Sequence, residues 1–257
     1  MSVIFAGRSG TDTKLDLEDE ASIRSAVQEI QPDVIINAAA YTQVDDAEDE
    51  PERAMQINGH APGILAEEAN KCGAKLIQVS TDFVFDGTRD RPYEPMDETN
   101  PINSYGASKL KGEEAVSNMA NEFIIVRLAW VFSTFGQNFY KTMLRLGKDR
   151  DEIHVVDDQV GNPTSAYEIA EGLLNICKQL GNGDKRLLGT IQHLVGLREM
   201  TRFEFAQKIF ASNKIECVVK PTTTGEMKMK AKRPANSRLL PTIEVPNRPL
   251  FHHELER

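Results

Sequence analysis

The sequence predicts an α/β fold built on a parallel sheet with helices on both faces. Short apolar runs of strand length recur along the first half of the chain, and segments with apolar residues at helical spacing separate them. Strands that are apolar on both faces are typical of parallel sheets covered by helices. The alternation changes after about residue 150, so a second, smaller domain is expected from the C-terminal part of the chain.

The predicted elements follow one another in a regular order. Each strand is a run of mostly apolar residues, and the predicted strands are Val3–Ala6, Asp33–Ala38, Lys75–Ser80 and Phe123–Arg127. Each helix has apolar residues on one face, and the predicted helices are Asp19–Ile30, Ala54–Lys71, Ser104–Asn118, Tyr167–Leu180 and Arg202–Phe210. We expect residues 1–150 with 165–185 to form the sheet domain and residues 151–164 with 186–257 to form the smaller one.

Composition excludes several classes of protein. The formal net charge is −9, and an acidic surface repels nucleic-acid phosphates, so we expect no nucleic-acid partner. The three cysteines, Cys72, Cys177 and Cys217, are far apart, and neither they nor the histidines have metal-ligand spacing, so no metal site is expected. No run of 18 apolar residues and no signal-peptide pattern is present, which predicts a cytoplasmic protein without a membrane partner.

A tyrosine and a lysine lie four residues apart in the third predicted helix. Tyr105 and Lys109 therefore share a face, and a nearby ammonium favours the phenolate and lowers the tyrosine pKa. Thr81 follows a predicted strand, where a parallel sheet presents side chains to its ligand crevice. The small residues Ala38–Ala40 follow another strand and would let a flat cofactor approach the backbone. Taken alone, the Tyr-Lys pair also fits an exposed helical pair, Thr81 fits a strand-end cap, and the small residues fit tight packing of a helix on the sheet.

Ordered motifs along most of the chain carry a family resemblance. They run from Asp33 to Glu48, from Ser80 to Gly87, from Pro101 to Glu113 and from Ala129 to Phe132, and end at Arg233–Leu239; between the last two lie Asn138-Phe139, Asp158-Gln159, Gly161 and Pro163-Thr164. Together they closely resemble the dTDP-4-dehydrorhamnose reductases, which are extended short-chain dehydrogenases. The resemblance implies a Rossmann-like dinucleotide-binding domain, a smaller C-terminal substrate domain and a homodimer as one arrangement of the chain.

The resemblance also implies a reaction and a set of residues. The reaction is reduction of a 4-keto-6-deoxy sugar linked to dTDP, with NADPH or NADH as cofactor. Tyr105 would be the general acid, Lys109 the partner that binds ribose and lowers the tyrosine pKa, and Thr81 the hydroxyl that orients the ketone. The residues implied for the cofactor are Arg8, Ser9, Asp16, Leu17, Ala38, Ala39, Ala40, Tyr41 and Lys109. The residues implied for the substrate are Val44, Thr81, Asp82, Phe83, Tyr105, Trp130, Asn138, Pro163 and Arg233.

The N-terminal residues depart from the family pattern, which opens with a strand, a Gly-x-x-Gly-x-x-Gly loop and a helix. In one alignment Val3–Ala6 is the second strand of the pattern, and Arg8 with Ser9 reads the adenosine ribose and favours the 2′-phosphate of NADPH. In the other alignment Val3–Ala6 is the first strand, with Gly7 and Gly10 as half of the loop. Neither alignment of residues 1–17 supplies the whole phosphate-binding unit, so the sheet is expected to be incomplete at its N-terminal side.

Three functional hypotheses follow. The first is an active reductase with a Tyr105, Lys109 and Thr81 set. The second is a regulatory or non-catalytic protein of the same fold, as in the regulatory subunit of methionine adenosyltransferase, which resembles this family. The third is an N-terminally truncated gene product of an ordinary enzyme.

Overall fold

The computed structural model describes residues 2–246 and Leu255 of the chain. Internal contacts divide the chain into two compact units. The first comprises Met1–Val84, Pro101–Val126 and Lys185–Ile191, and the second Phe85–Asn100, Arg127–Asp184 and Gln192–Arg257. These bounds differ from the predicted domains, because residues 85–100, 127–150 and 165–184 belong to the second unit and residues 186–191 to the first. The functional assignment of the two domains stays a prediction.

Helices and strands alternate through the chain. The helices are α1 Glu20–Ile30, α2 Pro51–Met55, α3 Ala61–Cys72, α4 Ser104–Met119, α5 Phe139–Asp149, α6 Ala166–Gly181 and α7 Arg202–Ser212. The strands are β1 Ala6–Gly7, β2 Thr13–Lys14, β3 Val34–Asn37, β4 Lys75–Thr81, β5 Phe123–Leu128, β6 Val131–Phe132, β7 Glu152–Val156, β8 Val160–Gly161, β9 Thr164–Ser165, β10 Thr190–His193, β11 Met200–Thr201 and β12 Val218–Thr222.

The first unit is built on a four-stranded sheet in the order β10-β5-β4-β3. β3 and β4 run parallel, with Val34 opposite Lys75. Helix α1 packs on α3, and α3 packs on α4. The apolar residues between these elements form one buried cluster, which includes Ile23, Leu65 and Leu76. Burial of this cluster stabilises the packing of the helices on β3 and β4, since the hydrophobic effect scales with the apolar area removed from water.

Helix α1 shows how closely local sequence sets an element. Asp19 is its N-cap, and the carboxylate accepts a hydrogen bond from the amide of Ala21 at 3.0 Å. Ile23 and Val27 lie on the buried face. The helix ends where Gln31 adopts a left-handed φ of 49°. The predicted helix Asp19–Ile30 therefore agrees with the structure to one residue.

The N-terminal residues do not form the predicted strand of the main sheet. Val3, Ile4 and Phe5 are 55%, 48% and 66% exposed and lie outside any strand, and only Ala6–Gly7 pairs, with β2. The carbonyl of Phe5 accepts from the amides of Asp12 and Thr13 instead, which folds this segment onto itself. The prediction of a strand over Val3–Ala6 is thus wrong for its first three residues. An apolar run favours a strand locally, but a strand also needs a partner in the sheet.

The predicted helix Ala54–Lys71 is divided by a π-helical segment, Gln56–His60. Pro62 has no amide hydrogen, and its ring would crowd the carbonyl of Asn58 in a regular α-helix. The helix is wider at this point, because the amide of Ala61 donates a hydrogen bond to the carbonyl of Gln56, as in a π-helical turn. The widening turns Asn58 inward, where it is 1% exposed.

The second unit contains short strands and the helices α5, α6 and α7. β7 and β12 run parallel over five residue pairs, β6 pairs with β9, and β8 pairs antiparallel with β11. Helices α5 and α7 pack on each other, with Phe132, Phe139 and Phe205 in aromatic contact. The packing of α5 on α7 fixes the position of the chain that follows β6 and of the first residues of α7.

Candidate active site

The end of β4 and the start of α4 place three predicted catalytic side chains in the first unit. Thr81 is the last residue of β4. Asn103 caps α4, and its side-chain oxygen accepts from the amide of Gly106 at 2.7 Å. Glu48 also accepts from the amide of Ser104 at 2.7 Å. These two contacts satisfy amides that the first turn of a helix leaves without partners, so the position of Tyr105 is well determined.

Tyr105 meets the side chain of Thr81. The Thr81 hydroxyl lies close enough to influence the phenol, and the Phe83 ring lies edge-on to the Tyr105 ring with centroids 5.9 Å apart. Burial raises the pKa of Tyr105 to about 12, against the influence of the Thr81 side chain, which lowers it. This direction is opposite to the one expected from the Tyr105–Lys109 spacing, because in this structure desolvation outweighs any stabilisation of the phenolate.

Lys109 lies one turn further along α4 and is buried at 3% exposure. Its Nζ donates to the backbone carbonyl of Val79 at 2.7 Å, which ties α4 to β4. Burial lowers the pKa of Lys109 to about 8, while the carboxylate of Glu113 raises it. An ammonium has three donors, and the contact with Val79 uses one of them.

The Thr81 hydroxyl has a defined direction. It donates to the carboxylate of Asp82 at 2.9 Å and accepts from the amide of Phe83 at 3.2 Å. The contact with Asp82 uses the single hydrogen of the Thr81 hydroxyl. The arrangement therefore presents a protonated phenol beside a second hydroxyl, which suits proton donation to an oxygen.

Asn58 is hydrogen-bonded to this region, although it is not among the predicted site residues. Its side-chain oxygen accepts from the amide of Tyr41 at 2.8 Å, and its amide group donates to the carbonyl of Tyr41 and to Ser108, both at 3.0 Å. Ser108 in turn donates to the carbonyl of Tyr105 at 2.8 Å. This network joins the loop after β3 to the helix that carries Tyr105. A proline four residues after an asparagine in a helix is the sequence signal that could have found it.

The predicted cofactor residues after β3 border a cavity of about 530 Å³. Ala38 and Ala39 are exposed, and Ala40, Tyr41 and Arg8 lie nearby, the last three on the cavity wall. The other lining residues are Thr42, Gln43, Asp46, Asp49, Glu50, Arg53 and Ile57. Ala40 gives this wall one small side chain, and the two guanidinium groups lie among three carboxylates. Arg8 pairs with Glu18, and Arg53 pairs with Glu18 and Glu50.

The other residues of the first unit that were predicted to bind the cofactor or the substrate range from exposed to buried. Arg8 is exposed and forms an ion pair with Glu18 at 3.6 Å, and Ser9 is exposed. The amide of Asp16 donates to Ser22 at 3.0 Å. Leu17 is buried in the apolar cluster, and Val44 is partly buried.

Four predicted substrate residues belong to the second unit. Asn138 is the N-cap of α5, and its amide donates to the carbonyls of Ser133 and Phe135. Pro163 is buried, and Arg233 donates to the carbonyl of Ala231 at 2.8 Å. Trp130 is 8% exposed and donates from its indole nitrogen to Ser237 at 3.0 Å.

The residues that the structure describes contain neither a metal-binding cluster nor a membrane-spanning helix. Across residues 2–246 and Leu255, three or more histidine, cysteine or acidic side chains do not gather into a group suited to a metal ion. Within the same residues, none of the helices has both the length and the apolarity that a membrane crossing requires.

Comparison with known proteins now identifies the family. The model of the RmlD substrate binding domain matches residues 4–244. The dTDP-4-dehydrorhamnose reductase of Sinorhizobium fredii is 41% identical over 228 residues, which are 87% of this chain and 77% of the relative. The chain belongs to the dTDP-4-dehydrorhamnose reductase family. The reductase of Escherichia coli K12 is 39% identical over 89% of this chain and 78% of its own length.

A solved structure supports the same conclusion for the fold. The crystal structure of the dTDP-4-dehydrorhamnose reductase from Bacillus anthracis in complex with NADP matches with a TM-score of 0.81 and 39% identity. The match covers 89% of this chain and 79% of that one. The predicted family and the predicted Rossmann-like α/β fold are therefore confirmed. The roles of the individual site residues of this reductase-family chain stay predictions.

Proposed function

We propose that this chain reduces the C4 ketone of a dTDP-linked 4-keto-6-deoxy sugar, dTDP-4-dehydrorhamnose, to give dTDP-rhamnose. Membership of the reductase family supports the reaction class. The observation that carries the proposal for this chain is the proximity of the Tyr105 and Thr81 side chains, with the buried amine of Lys109 one helical turn further along α4 and bonded to β4. These side chains belong to one packed unit and lie at the carboxyl end of β4, where ligands bind in open parallel sheets.

Tyr105 supplies the proton in this proposal. With a pKa of about 12 the phenol stays protonated at neutral pH, so nearly every molecule carries the hydrogen that the ketone oxygen needs. As charge develops on that oxygen, the phenol donates to it and the negative charge is neutralised. Thr81 orients the same oxygen, in the place where it now meets Tyr105.

NADPH or NADH supplies the hydride when bound, in keeping with the NADP in the Bacillus anthracis relative. The residues of this chain fit the nicotinamide and ribose end of such a cofactor. Ala38 and Ala39 are small and exposed directly after β3, and Lys109 has donors for ribose hydroxyls. The cavity beside Ala40 and Tyr41 has guanidinium groups from Arg8 and Arg53.

A second candidate function is a regulatory protein that keeps the fold without turnover. The observation that favours it is the absence, among residues 2–17, of a glycine-rich turn leading into a helix. The first helix, α1, has the Asp19 carboxylate bound at its N-terminus and Glu20 in its first turn. These charges repel a phosphate from the position where a helix N-terminus would otherwise attract it.

An activity assay with one variant separates the two candidates. Purified protein is mixed with NADPH and dTDP-4-dehydrorhamnose, and both cofactor consumption and dTDP-rhamnose formation are measured. The wild type should turn over, and Tyr105→Phe should lower kcat by roughly 100- to 10,000-fold with a much smaller change in KM, because the phenol acts mainly in the transition state. Tyr167→Phe, which removes a partly exposed hydroxyl in α6, is the matched control and should retain wild-type turnover. A wild type without turnover at saturating cofactor supports the regulatory candidate, and undiminished turnover in Tyr105→Phe reassigns the proton donor.

A further inference from the structure

Glu18 holds two arginines that border the cavity beside Ala40 and Tyr41. Its carboxylate accepts from the Nε of Arg53 at 2.9 Å and from a terminal nitrogen of the same guanidinium at 3.2 Å, so this pair is bidentate. The same carboxylate lies 3.6 Å from the guanidinium of Arg8. Arg8 and Arg53 both line the cavity. One carboxylate therefore offsets the charge of two guanidinium groups.

The two arginines are held with different strength. Arg53 also pairs with Glu50 at 3.2 Å, and its guanidinium lies 5.8 Å from the centroid of the Tyr41 ring. The Tyr41 hydroxyl donates to the Glu50 carboxylate at 2.9 Å, which closes this network. The Arg8 side chain is 66% exposed, and its contact with Glu18 is the longer one. Arg8 is therefore the guanidinium with the greater freedom to turn towards a ligand.

The charges around the cavity favour a hydroxyl over a phosphate. Asp46, Asp49 and Glu50 line it together with the two arginines, and Glu18 adds a fourth carboxylate against the two guanidinium groups. A phosphate monoester carries about two negative charges at neutral pH, so these carboxylates repel it. A hydroxyl carries no charge and can donate to a carboxylate. The arginines attract a phosphate only as far as the carboxylates leave their charge free.

We propose that Glu18 determines the choice between the two cofactors and makes this chain favour NADH over NADPH. The inference rests on the proposed function, which supplies the cofactor class. NADPH differs from NADH by a phosphate on the 2′-hydroxyl of the adenosine ribose, and a nearby arginine accommodates that phosphate in dinucleotide-binding folds. Arg8, which directly follows β1, is the residue expected for this contact. Glu18 engages the Arg8 guanidinium, and its own charge repels the 2′-phosphate.

Removal of the Glu18 charge should change the affinity for one cofactor and not for the other. Glu18→Gln keeps the shape of the side chain, and it should bind NADPH about 3- to 30-fold more tightly than the wild type does. Its affinity for NADH should change by less than about 2-fold, because NADH lacks the 2′-phosphate. Glu20→Gln removes the same charge from a carboxylate that pairs with Arg24 at 2.7 Å, and as the matched control it should follow the wild type.

A double-mutant cycle tests whether Glu18 acts through Arg8. Arg8→Ala should weaken NADPH binding more in the Glu18→Gln background than in the wild type, because only there is the guanidinium released for the phosphate. Calorimetric titration with each dinucleotide, continued to millimolar concentration, gives the dissociation constants of all the variants. Added KCl should reduce the effect of Glu18→Gln, since the charges are partly exposed and salt screens them. Circular dichroism confirms that each variant is folded.

The titrations separate this inference from the proposed function. Tighter NADPH binding by Glu18→Gln, with NADH nearly unchanged and the gain lost in the double variant, supports the role of Glu18. Unchanged or weaker NADPH binding by Glu18→Gln overturns it, as does an equal gain for both dinucleotides or the same gain in Glu20→Gln. A wild type that prefers NADPH also overturns it, but turnover of the keto sugar with either cofactor still upholds the proposed function. Binding of neither dinucleotide by any variant contradicts both.

Discussion

Two regions of the first unit, both expected to serve the cofactor and the reaction, differ sharply in structure. At the end of β4 and the start of α4, Thr81 and Lys109 are buried and hydrogen-bonded to neighbouring elements. Along residues 2–17, Val3, Ile4 and Phe5 are exposed, and the segment pairs with itself through β1 and β2. The groups proposed for proton transfer are therefore set by the core, whereas the part expected to bind cofactor phosphates has no such support. In this chain, the residues proposed for proton transfer and the residues expected to bind the cofactor phosphates therefore depend on different parts of the structure.

The largest expected effect is on cofactor affinity, and it arises from residues 2–17. This chain should bind NADPH and NADH roughly a thousandfold less tightly than the Escherichia coli relative, because several charge-assisted hydrogen bonds to the pyrophosphate, at ~1.5–3 kcal/mol each, lack donors in residues 2–17. Calorimetric titration of both proteins under one set of conditions measures the difference. Micromolar affinity of this chain for either cofactor would remove the contrast between the two regions.

A smaller effect, on the free energy of unfolding, is expected from adding a methyl group to the closely packed helix α4. A Cβ atom on Gly112 would overlap the carbonyl of Asn58, so Gly112→Ala should lower the free energy of unfolding by about 1–3 kcal/mol. Gly181→Ala, at a helical position with open space around it, is the matched control and should be neutral or slightly stabilising. Phe5→Ser in the exposed segment should stay within about 0.5 kcal/mol of the wild type. Urea unfolding measures all three, and equal losses for Gly112→Ala and Phe5→Ser would contradict the comparison.

The smallest effect is a pH dependence of stability. The folded-state pKa of Lys109, about 8, lies below its ordinary value of 10.5, so the unfolded chain binds more protons between these values and stability rises with pH there. From pH 8 to pH 10 this residue should add about 2 kcal/mol to the free energy of unfolding. Above pH 10 the raised pKa of Tyr105 acts in the opposite direction, which sets the upper limit of the window. Lys109→Met should lack this increment, and identical pH profiles for variant and wild type would show that the amine is not desolvated.

Much of the first unit could be predicted because its signals are local. The periodicity around Ile23 and Val27, with Asp19 before it, determined α1 to within one residue. The four-residue spacing of Tyr105 and Lys109 required only that α4 be a helix. By contrast, Val3–Phe5 has the composition of a strand, yet its pairing depends on partners far along the chain.

The unpredicted parts of the site depend on deviations from regular geometry and on long-range contacts. Asn58 turns inward only because the helix widens before Pro62, and an analysis by regular helical spacing cannot show this. The direction of the Tyr105 pKa depends on burial, which a spacing between two residues does not contain. The stacking of Arg202 on Trp130 joins residues from separate elements of the second unit.

Transfer of an isotopic label tests the central claim most directly. The chain is incubated with dTDP-4-dehydrorhamnose and NADPH deuterated at the hydride position, at cofactor concentrations high enough to offset weak binding, and the sugar is analysed by mass spectrometry and NMR. We expect dTDP-rhamnose with deuterium on C4 from the wild type and only a trace from Tyr105→Phe. Recovery of unreacted, unlabelled keto sugar from the wild type under these conditions would contradict the account.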